Sequence, residues 1–296
     1  MLEFRTISIE DREWISLALR ASDYRGCEYS FANNMAWRRQ NDSRIARFQD
    51  YYLCCAFDTA DGVPSFIWPS GTGDADALLD AMIGYVRGIG KPLQFWNLSE
   101  ERTEWLRERL PGLEVRENRE SWDYLYLAED LATLAGRKYH QKRNFLHRFS
   151  AYGAEALPMT HADFDDCITF AAMFYNDRLD GDADAIAEQF AIDTFFRHFD
   201  VLGLQGEVIR KAGQLVAFAI GEPLNSDTFC VHIEKADTAF QGAYAAINQA
   251  FAQRIHAQGF RYINREEDMG LPGLRKAKES YHPAAMVQKF AVRAEV

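Results

Sequence analysis

Three segments in the second half of this 296-residue sequence carry side chains suited to chemistry. In the first, 237–243, a strand pattern passes through Gln241, Gly242 and Ala243 into a helix pattern. Unpaired backbone N–H groups and the helix dipole favour an anion at such a helix start, and a glycine lets a phosphate approach the backbone closely. The alternative is an ordinary N-terminal cap, because one glycine does not make a phosphate-binding motif.

The second segment, 264–270, begins with Asn264 and Arg265 and continues with Glu267 and Asp268, directly after a predicted strand. Ligands of open α/β sheets bind at the carboxyl ends of strands. A carboxylate there is suited to act as general base, and the guanidinium of Arg265 is suited to bind a carboxylate or phosphate through two parallel hydrogen bonds. The alternative is an exposed loop whose charges compensate one another.

The third segment, 273–283, combines cations with a tyrosine. Arg275, Lys276 and Lys278 are suited to hold phosphate, and Tyr281 carries a proton that a leaving group can take. Pro283 predicts the end of a helix. The alternative for Tyr281 is a core position with its hydroxyl at the surface, which is the commoner place for a tyrosine.

A predicted helix over 137–149 contains basic residues and no acidic one. Its basic residues are Arg137, Lys138, Lys142, Arg143 and Arg148. In a chain with a net charge of −11, this local excess favours anion binding over the alternative of a solvated basic face.

Other chemistries lack their sequence signals. The five cysteines include no Cys-x-x-Cys pair, and the seven histidines include no His-x-x-x-His pair, so the sequence predicts no metal site. His140, His232 and His282 are therefore interpreted as structural or substrate-orienting residues. There is also no Gly-x-Ser-x-Gly elbow, Walker loop or Gly-x-Gly-x-x-Gly fingerprint.

The elements that would position these residues form an α/β pattern that occurs twice. The first half is predicted to contain strands at 52–57, 63–68, 93–96 and 122–127, with helices at 10–20, 75–89 and 100–110. The second half is predicted to contain strands at 208–210, 215–220, 228–234, 260–263 and 286–292, with helices after 242 and at 274–281. Phe229, Val231 and Ile233 alternate with Cys230, His232 and Glu234 in one of these strands.

Composition restricts the class of protein. Hydrophobic residues make up 48% of the chain, which predicts a sizeable core, and the net negative charge argues against broad nucleic-acid binding. No apolar run of membrane-spanning length appears, and an odd number of cysteines without a disulfide pattern predicts a cytoplasmic protein. The aspartate-rich segment 176–193 is predicted to be solvent-exposed.

Several blocks of this sequence resemble the phosphatidylglycerol lysyltransferase C-terminal domain family. The blocks are 123–131, 136–144, 233–237, 241–244, 264–268 and 273–283. The resemblance implies an α/β (α+β) fold of two tandem GNAT-like acyl-CoA N-acyltransferase domains, each with a mixed central sheet flanked by helices. We place these domains at 1–134 and 135–296, with the active cleft in the second.

Members of that family with known activity move an aminoacyl group from a charged tRNA to a lipid head group. The resemblance therefore implies an acyltransferase that carries an aminoacyl group from aminoacyl-tRNA to an amine or hydroxyl acceptor, such as a small molecule or a lipid head group. It implies no tightly bound cofactor. The sequence departs from acetyl-CoA-dependent GNAT enzymes, whose phosphate loop resembles Gln/Arg-x-x-Gly-x-Gly/Ala, because Gly242 follows Gln241 at once.

The resemblance also implies roles for individual residues. Glu234 or Glu267 is expected to act as general base, and Tyr281 as the acid that protonates the leaving group. The residues expected to bind substrate are Lys138, Tyr139, Lys142, Arg143, Gln241, Gly242, Ala243, Asn264, Arg265, Asp268, Arg275, Lys276, Lys278 and Ser280. Two alternatives stay open: an acyl-CoA-dependent N-acyltransferase, and a non-catalytic sensor of an anionic metabolite.

Overall fold

A computed structural model of the chain describes residues 2–174 and 183–296. The strands, in chain order, are β1 (Arg5–Thr6), β2 (Ser43–Phe48), β3 (Tyr51–Ala56), β4 (Ser65–Phe66), β5 (Leu93–Leu98), β6 (Glu114–Glu117), β7 (Asp123–Leu127), β8 (Glu155–Pro158), β9 (Gln205–Lys211), β10 (Gln214–Pro223), β11 (Thr228–Ala236), β12 (Tyr262–Asn264), β13 (Ala285–Val287) and β14 (Phe290–Ala294). The α-helices are α1 (Arg12–Ser22), α2 (Phe31–Ala36), α3 (Ala75–Gly88), α4 (Glu100–Arg107), α5 (Ala128–Thr133), α6 (His140–Ser150), α7 (Phe164–Met173), α8 (Ala183–Arg197), α9 (Phe199–Leu202), α10 (Ala243–Ala257) and α11 (Pro272–Glu279).

The chain divides into two compact units. Unit 1 comprises Met1–Asp123, Glu267–Gly270 and Val287–Val296, and unit 2 comprises Tyr124–Glu266 and Leu271–Met286. This division differs from the predicted segments 1–134 and 135–296. The chain ends in unit 1, and the residues from Tyr124 onward already belong to unit 2.

Unit 1 is built on a seven-stranded sheet with the order β1-β2-β3-β4-β5-β14-β6. Its neighbouring strands are antiparallel except for β4 and β5, which are parallel. A parallel pair needs a crossover connection, and α3 supplies it. Asp74 caps this helix by accepting hydrogen bonds from the backbone N–H groups of Asp76 and Ala77, as the turn signal at 70–74 predicts.

Unit 2 repeats this arrangement in a seven-stranded sheet with the order β8-β9-β10-β11-β12-β7-β13. The parallel pair is β11 and β12, and α10 is its crossover helix. In the core between this sheet and α10, Phe229 and Val231 of β11 cluster with Ile247 and Phe251 of α10. The predicted mixed α/β fold is therefore confirmed in both units.

Each sheet takes its sixth strand from a distant part of the chain. β14, at the C-terminus, lies between β5 and β6, and its Val292 is buried with the core of unit 1. β7, which ends the first half of the sequence, pairs with β12 in the other sheet. The prediction of one strand at 286–292 is therefore wrong, because β13 and β14 belong to different sheets.

The aspartate-rich segment 176–193 is described only in part. Residues 176–182 lie outside the described residues, and 183–193 lie in α8. Ala191 and Ile192 are buried, so this part of the segment is not the solvent-exposed stretch that its composition predicts. Across the described residues, none of the helices has both the length and the hydropathy of a membrane span.

Candidate functional site

Unit 2 gathers four polar residues around one largely buried arginine. We call this group the Arg265 cluster, and its members are Arg265, Glu234, Asn248, Tyr281 and Lys142. Arg265 Nη2 donates a hydrogen bond to Glu234 Oε1 at 2.9 Å, and Asn248 Nδ2 donates one to Glu234 Oε2 at 3.2 Å. The guanidinium carbon of Arg265 lies 4.9 Å from the ring centroid of Tyr281. On the same ring, Lys142 Nζ lies 3.6 Å from the centroid. The structure thus brings together four of the predicted site residues.

Separate elements deliver the members of the cluster. Arg265 follows β12, Tyr281 follows α11, and Lys142 lies in α6. The loop after β12 is fixed by Lys278, whose Nζ donates to the backbone carbonyls of Arg265 and Glu266. Lys278 is buried in this role, which differs from the predicted role as a phosphate ligand.

A β-bulge in β11 turns Glu234 toward this cluster. Ile220 of β10 is opposite Ile233, but the next residue, Gly221, is opposite Val231, so His232 is an extra residue in β11. The bulge changes which side chains of β11 point to each face of the sheet. Glu234 contacts Asn248 of α10, whereas the His232 ring stacks on Phe195 of α8. The simple alternation of Cys230, His232 and Glu234 predicted from the sequence is therefore wrong beyond His232.

Burial and charge set the proton affinities in the cluster. Burial raises the pKa of Tyr281, Arg265 lowers it, and Glu234 raises it, with a net result well above the usual value, so this phenol keeps its proton at neutral pH. Burial and the nearby charge of Arg265 lower the pKa of Lys142 to about 8, against the pull of Glu234. Lys142 is therefore the group of the cluster that exchanges a proton near neutral pH.

Two buried polar atoms of the cluster have no hydrogen-bond partner within the described residues. They are Arg265 Nη1 and Asn248 Oδ1, a donor and an acceptor. Leaving a buried polar atom unpaired costs about 1–3 kcal/mol, and more beside a charge. Such atoms are suited to hydrogen-bond a ligand that presents both an oxygen and a polar hydrogen.

Gly242, at the start of α10, has a packing role that the sequence did not predict. Gly242 has φ +98, and a Cβ built on it would lie 2.4 Å from the backbone oxygen of Phe145 in α6. The N–H groups on either side are already bonded, from Gln241 to the Tyr152 hydroxyl at 3.4 Å and from Ala243 to the Phe240 carbonyl at 2.9 Å. The glycine therefore permits close packing of α10 on α6, and the binding of a phosphate at this helix start stays a prediction.

The basic segment 137–149 is partly committed to structure. Lys138 pairs with Asp130 at 2.9 Å, and Arg143 donates to the backbone carbonyls of Leu134 and Gly136, just beyond α5. Lys142 differs from both, because its Nζ donates to Ser280 Oγ at 2.6 Å within the Arg265 cluster.

Tyr139 supports the position of Tyr281. Its buried hydroxyl donates to the backbone carbonyl of Tyr281 at 3.0 Å. Asn264 is also buried, and its Oδ1 accepts a hydrogen bond from the backbone N–H of Glu266 at 2.7 Å. In α11, Arg275 is half-buried and Lys276 exposed. Tyr139 therefore helps to hold Tyr281 in place, and Asn264 fixes the backbone next to Arg265.

Glu267 and Asp268, predicted to act in the same site, belong to unit 1. Glu267 Oε2 lies 3.6 Å from Cys27 Sγ, and Asp268 forms an ion pair with Arg119 at 3.1 Å. Sequence proximity to Arg265 is misleading here, because the chain passes from unit 2 to unit 1 between Glu266 and Glu267.

Sequence reasoning missed Asn248 and Tyr126. Asn248 is a buried amide among the apolar residues of α10, and this polar interruption was its only signal. Tyr126 lies in β7 with its ring centroid 5.7 Å from the Arg265 guanidinium carbon, and its hydroxyl donates to the Lys278 carbonyl at 2.8 Å. Because β7 precedes the second half of the sequence, its contribution to this cluster follows from the strand exchange.

Solved structures show the same fold. The chain is 35% identical to a conserved protein of unknown function from Bacteroides thetaiotaomicron, with a TM-score of 0.92 over 100% of both chains. It is 13% identical to L-PGS from Bacillus licheniformis, with a TM-score of 0.67 over 96% of this chain and 92% of that one. A tandem GNAT protein from the clavulanic acid biosynthesis pathway is 10% identical, with a TM-score of 0.50 over 100% and 98% of the two chains.

These likenesses agree with two tandem GNAT-like units, each a mixed sheet flanked by helices. The match to a family model is more specific than the fold. The model described as "Phosphatidylglycerol lysyltransferase, C-terminal" covers residues 19–293, which include all members of the Arg265 cluster. The chain therefore belongs to the phosphatidylglycerol lysyltransferase C-terminal domain family.

Proposed function

We propose that unit 2 is an acyltransferase that carries an aminoacyl group from aminoacyl-tRNA to an amine or hydroxyl acceptor, a small molecule or a lipid head group. The observation that carries the proposal is the unpartnered Arg265 Nη1, buried beside a tyrosine that keeps its proton and a lysine with a pKa of about 8. Membership of the family and the acyltransferase fold support the reaction class.

The reaction assigns one task to each part of the cluster. The acceptor nitrogen or oxygen attacks the ester carbonyl carbon of the donor and gives its proton to neutral Lys142. The carbonyl oxygen becomes an oxyanion, which Arg265 Nη1 stabilises because its charge is already held in place by Glu234. The bond to the ribose oxygen then breaks, and this oxygen takes the proton of Tyr281.

Lys142 replaces the two carboxylates that the sequence offered as general base. Both oxygens of Glu234 accept hydrogen bonds, from Arg265 and Asn248, so this carboxylate orients the arginine. Glu267 belongs to unit 1. A lysine with a lowered pKa is an established kind of general base, because desolvation makes its neutral form accessible near physiological pH.

The experiment is the turnover of charged tRNA by the full chain and by Tyr281→Phe, with the enzyme-free hydrolysis rate subtracted. We expect Tyr281→Phe to lower the rate by about 10²-fold or more, which is the usual contribution of a general acid. Equal rates for the two proteins would remove Tyr281 from the chemistry.

Tyr152→Phe is the matched control, because it removes a tyrosine hydroxyl at the start of α10, where the sequence alone had placed the anion site. We expect it to turn over charged tRNA at the rate of the unsubstituted chain. Arg265→Lys keeps the positive charge but loses the second guanidinium nitrogen. We therefore expect it to lose activity, as Tyr281→Phe does.

The two alternative functions, an acyl-CoA-dependent enzyme and a non-catalytic sensor, predict different results with the same purified protein. An acyl-CoA-dependent enzyme is stabilised against heat by coenzyme A, whereas a non-catalytic sensor binds an anion without turnover. We also infer a cytoplasmic location, since Cys27, Cys54, Cys55, Cys167 and Cys230 are all free thiols.

A further inference from the structure

A second polar group lies in unit 2 around the bulge residue His232. His232 Nδ1 is 2.8 Å from Glu266 Oε1, and Cys230 Sγ lies 3.7 Å from the same nitrogen and 3.9 Å from the same oxygen. The geometry points to a binding site for a divalent transition metal such as Zn²⁺, with Cys230, His232 and Glu266 as its protein ligands. Nothing in the reaction proposed above uses these three residues.

The separations of the three ligand atoms suit a tetrahedral ion. Bonds of about 2.3 Å to sulfur and about 2.0–2.1 Å to nitrogen and oxygen place tetrahedral ligands about 3.3–3.6 Å apart. The two distances from Cys230 Sγ, 3.7 and 3.9 Å, are close to this range. The third pair of ligand atoms, from His232 and Glu266, lies at hydrogen-bond distance. An ion bound to both would increase the distance between these two atoms by about half an ångström.

Glu222 supplies the outer partner that metal-bound histidines have. Its Oε1 lies 3.2 Å from His232 Nε2, on the side of the ring away from Cys230 and Glu266. A ligating imidazole usually donates its other N–H to a carboxylate, which fixes the ring and raises its basicity. His232 is also held by the Phe195 ring, stacked at 5.2 Å and 12°.

The backbone is shaped to bring these side chains together. His232 is the extra residue of the bulge, and Gly221, opposite its neighbour Val231, has no room for a Cβ, which would lie 2.1 Å from the Cys230 carbonyl oxygen. Glu266 has φ +56, a left-handed conformation that a glutamate adopts at a cost. Such strain persists where the surroundings impose it, and here it directs the carboxylate to His232.

A comparable group lies in unit 1. Cys27, Asp123 and Glu267 also lie close enough to share an ion. There, Lys289 Nζ already supplies the positive charge, at 2.7 Å from Asp123 and 2.7 Å from Glu28. In unit 2, the described contacts of the Glu266 carboxylate are with His232 and Cys230 only.

The competing state is a proton in place of the metal. Burial lowers the pKa of His232, but Cys230, Glu222 and Glu266 raise it, with a net result well above the usual value. An imidazolium would then donate one hydrogen bond to each of the two flanking carboxylates, Glu266 and Glu222. The two states differ spectroscopically, because a metal-bound Cys230 thiolate gives a sulfur-to-metal charge-transfer band and an imidazolium gives none.

The test is a titration of the full, reduced and chelator-treated chain with Co²⁺, followed by displacement with Zn²⁺. We expect one ion per chain, visible bands of a four-coordinate ion and a near-ultraviolet sulfur-to-cobalt band. Cys230→Ser should abolish the sulfur band. Glu222→Gln should weaken binding by about 10–100-fold, because it changes only the outer partner of His232.

Cys27→Ser is the matched control, since it removes a buried thiol from the group that already holds Lys289. Its Co²⁺ spectrum should equal that of the unsubstituted chain. Glu266→Gln leaves the thiols of Cys230 and Cys27 in place and serves as a second test if Cys230→Ser does not fold. It should weaken Co²⁺ binding at least about tenfold. No Co²⁺ or Zn²⁺ binding, or loss of the sulfur band in Cys27→Ser alone, would overturn the inference.

Discussion

At the scale of single residues, the site depends on how one buried ion pair orients its neighbours. The side chains of Arg265 and Glu234 are each 13% exposed, and the carboxylate uses both oxygens to hold its partners. This leaves one guanidinium nitrogen, Nη1, buried and without a hydrogen-bond partner among the described residues. A preorganised charge of this kind stabilises a developing anion without reorganisation during the reaction.

The pH dependence of the reaction is predicted at this scale. Because the pKa of Lys142 is about 8, the neutral base is the minor form below that pH. The rate should therefore rise by about tenfold per pH unit below pH 8 and level off above it. Arg265, Glu234, Tyr281 and Ser280 are the polar groups that face Lys142.

Rates of charged-tRNA turnover between pH 6 and 9, corrected for enzyme-free hydrolysis at each pH, test this. In Lys142→Arg the cation cannot lose its proton in this range, so the rate should be low and its pH limb absent. A wild-type limb that survives in Lys142→Arg would assign the titration to another group.

At the scale of elements, small backbone features decide which side chains meet. The bulge at His232 assigns consecutive polar residues of β11 to different neighbours, and Gly242 allows α10 to approach α6. In both places, a local feature of the backbone overrides what the periodicity of the sequence predicts. The sequence contains the histidine and the glycine, but neither residue type predicts the bulge or the helix that packs against it.

The role of Gly242 predicts a stability difference between two glycines at opposite ends of α10. Gly259 has φ +91 with nothing near its missing Cβ, whereas Gly242 has φ +98 and the Phe145 oxygen 2.4 Å away. Gly259→Ala should cost about 1 kcal/mol, from backbone strain alone. Gly242→Ala should cost about 1–3 kcal/mol more, because the added methyl forces two helices apart.

Denaturant unfolding of both variants measures the two costs against the unsubstituted chain. Equal costs would show that α6 does not press on Gly242. A greater cost for Gly259→Ala would contradict the packing role altogether.

At the scale of the whole molecule, each sheet takes one strand from a distant part of the sequence, β14 in unit 1 and β7 in unit 2. β14 lies between β5 and β6, and β6 is a sheet edge whose neighbour is β14. Lys289, just before β14, is the buried cation of Glu28 and Asp123. Unit 1 therefore depends on residues 287–296 for a strand of its sheet and for this cation.

Ending the chain at residue 287 should disrupt unit 1. It removes a strand from the sheet and leaves two buried carboxylates without their cation, and breaking such a pair costs about 3–5 kcal/mol. Backbone amides of β5 and β6 should exchange with deuterium about 100-fold faster or more, while β10 and β11 keep their protection.

Removal of residues 295–296 alone is the control, because these residues lie outside β14. Hydrogen exchange measured by mass spectrometry distinguishes the two shortened chains. Unchanged protection of β5 in the chain ending at 287 would mean that the sheet does not need β14.

The sequence by itself determined the family, the α/β class and most elements of unit 2, because periodicity and turn residues are local properties. It also identified Arg265, Glu234, Lys142 and Tyr281 as chemical candidates, because their types and the family blocks are read directly from the chain. The tertiary structure decided which candidates meet. It separated Glu267 from Arg265, added Asn248, and enclosed Cys230, His232 and Glu266, since strand exchange, a bulge and close helix packing depend on contacts between residues distant in sequence.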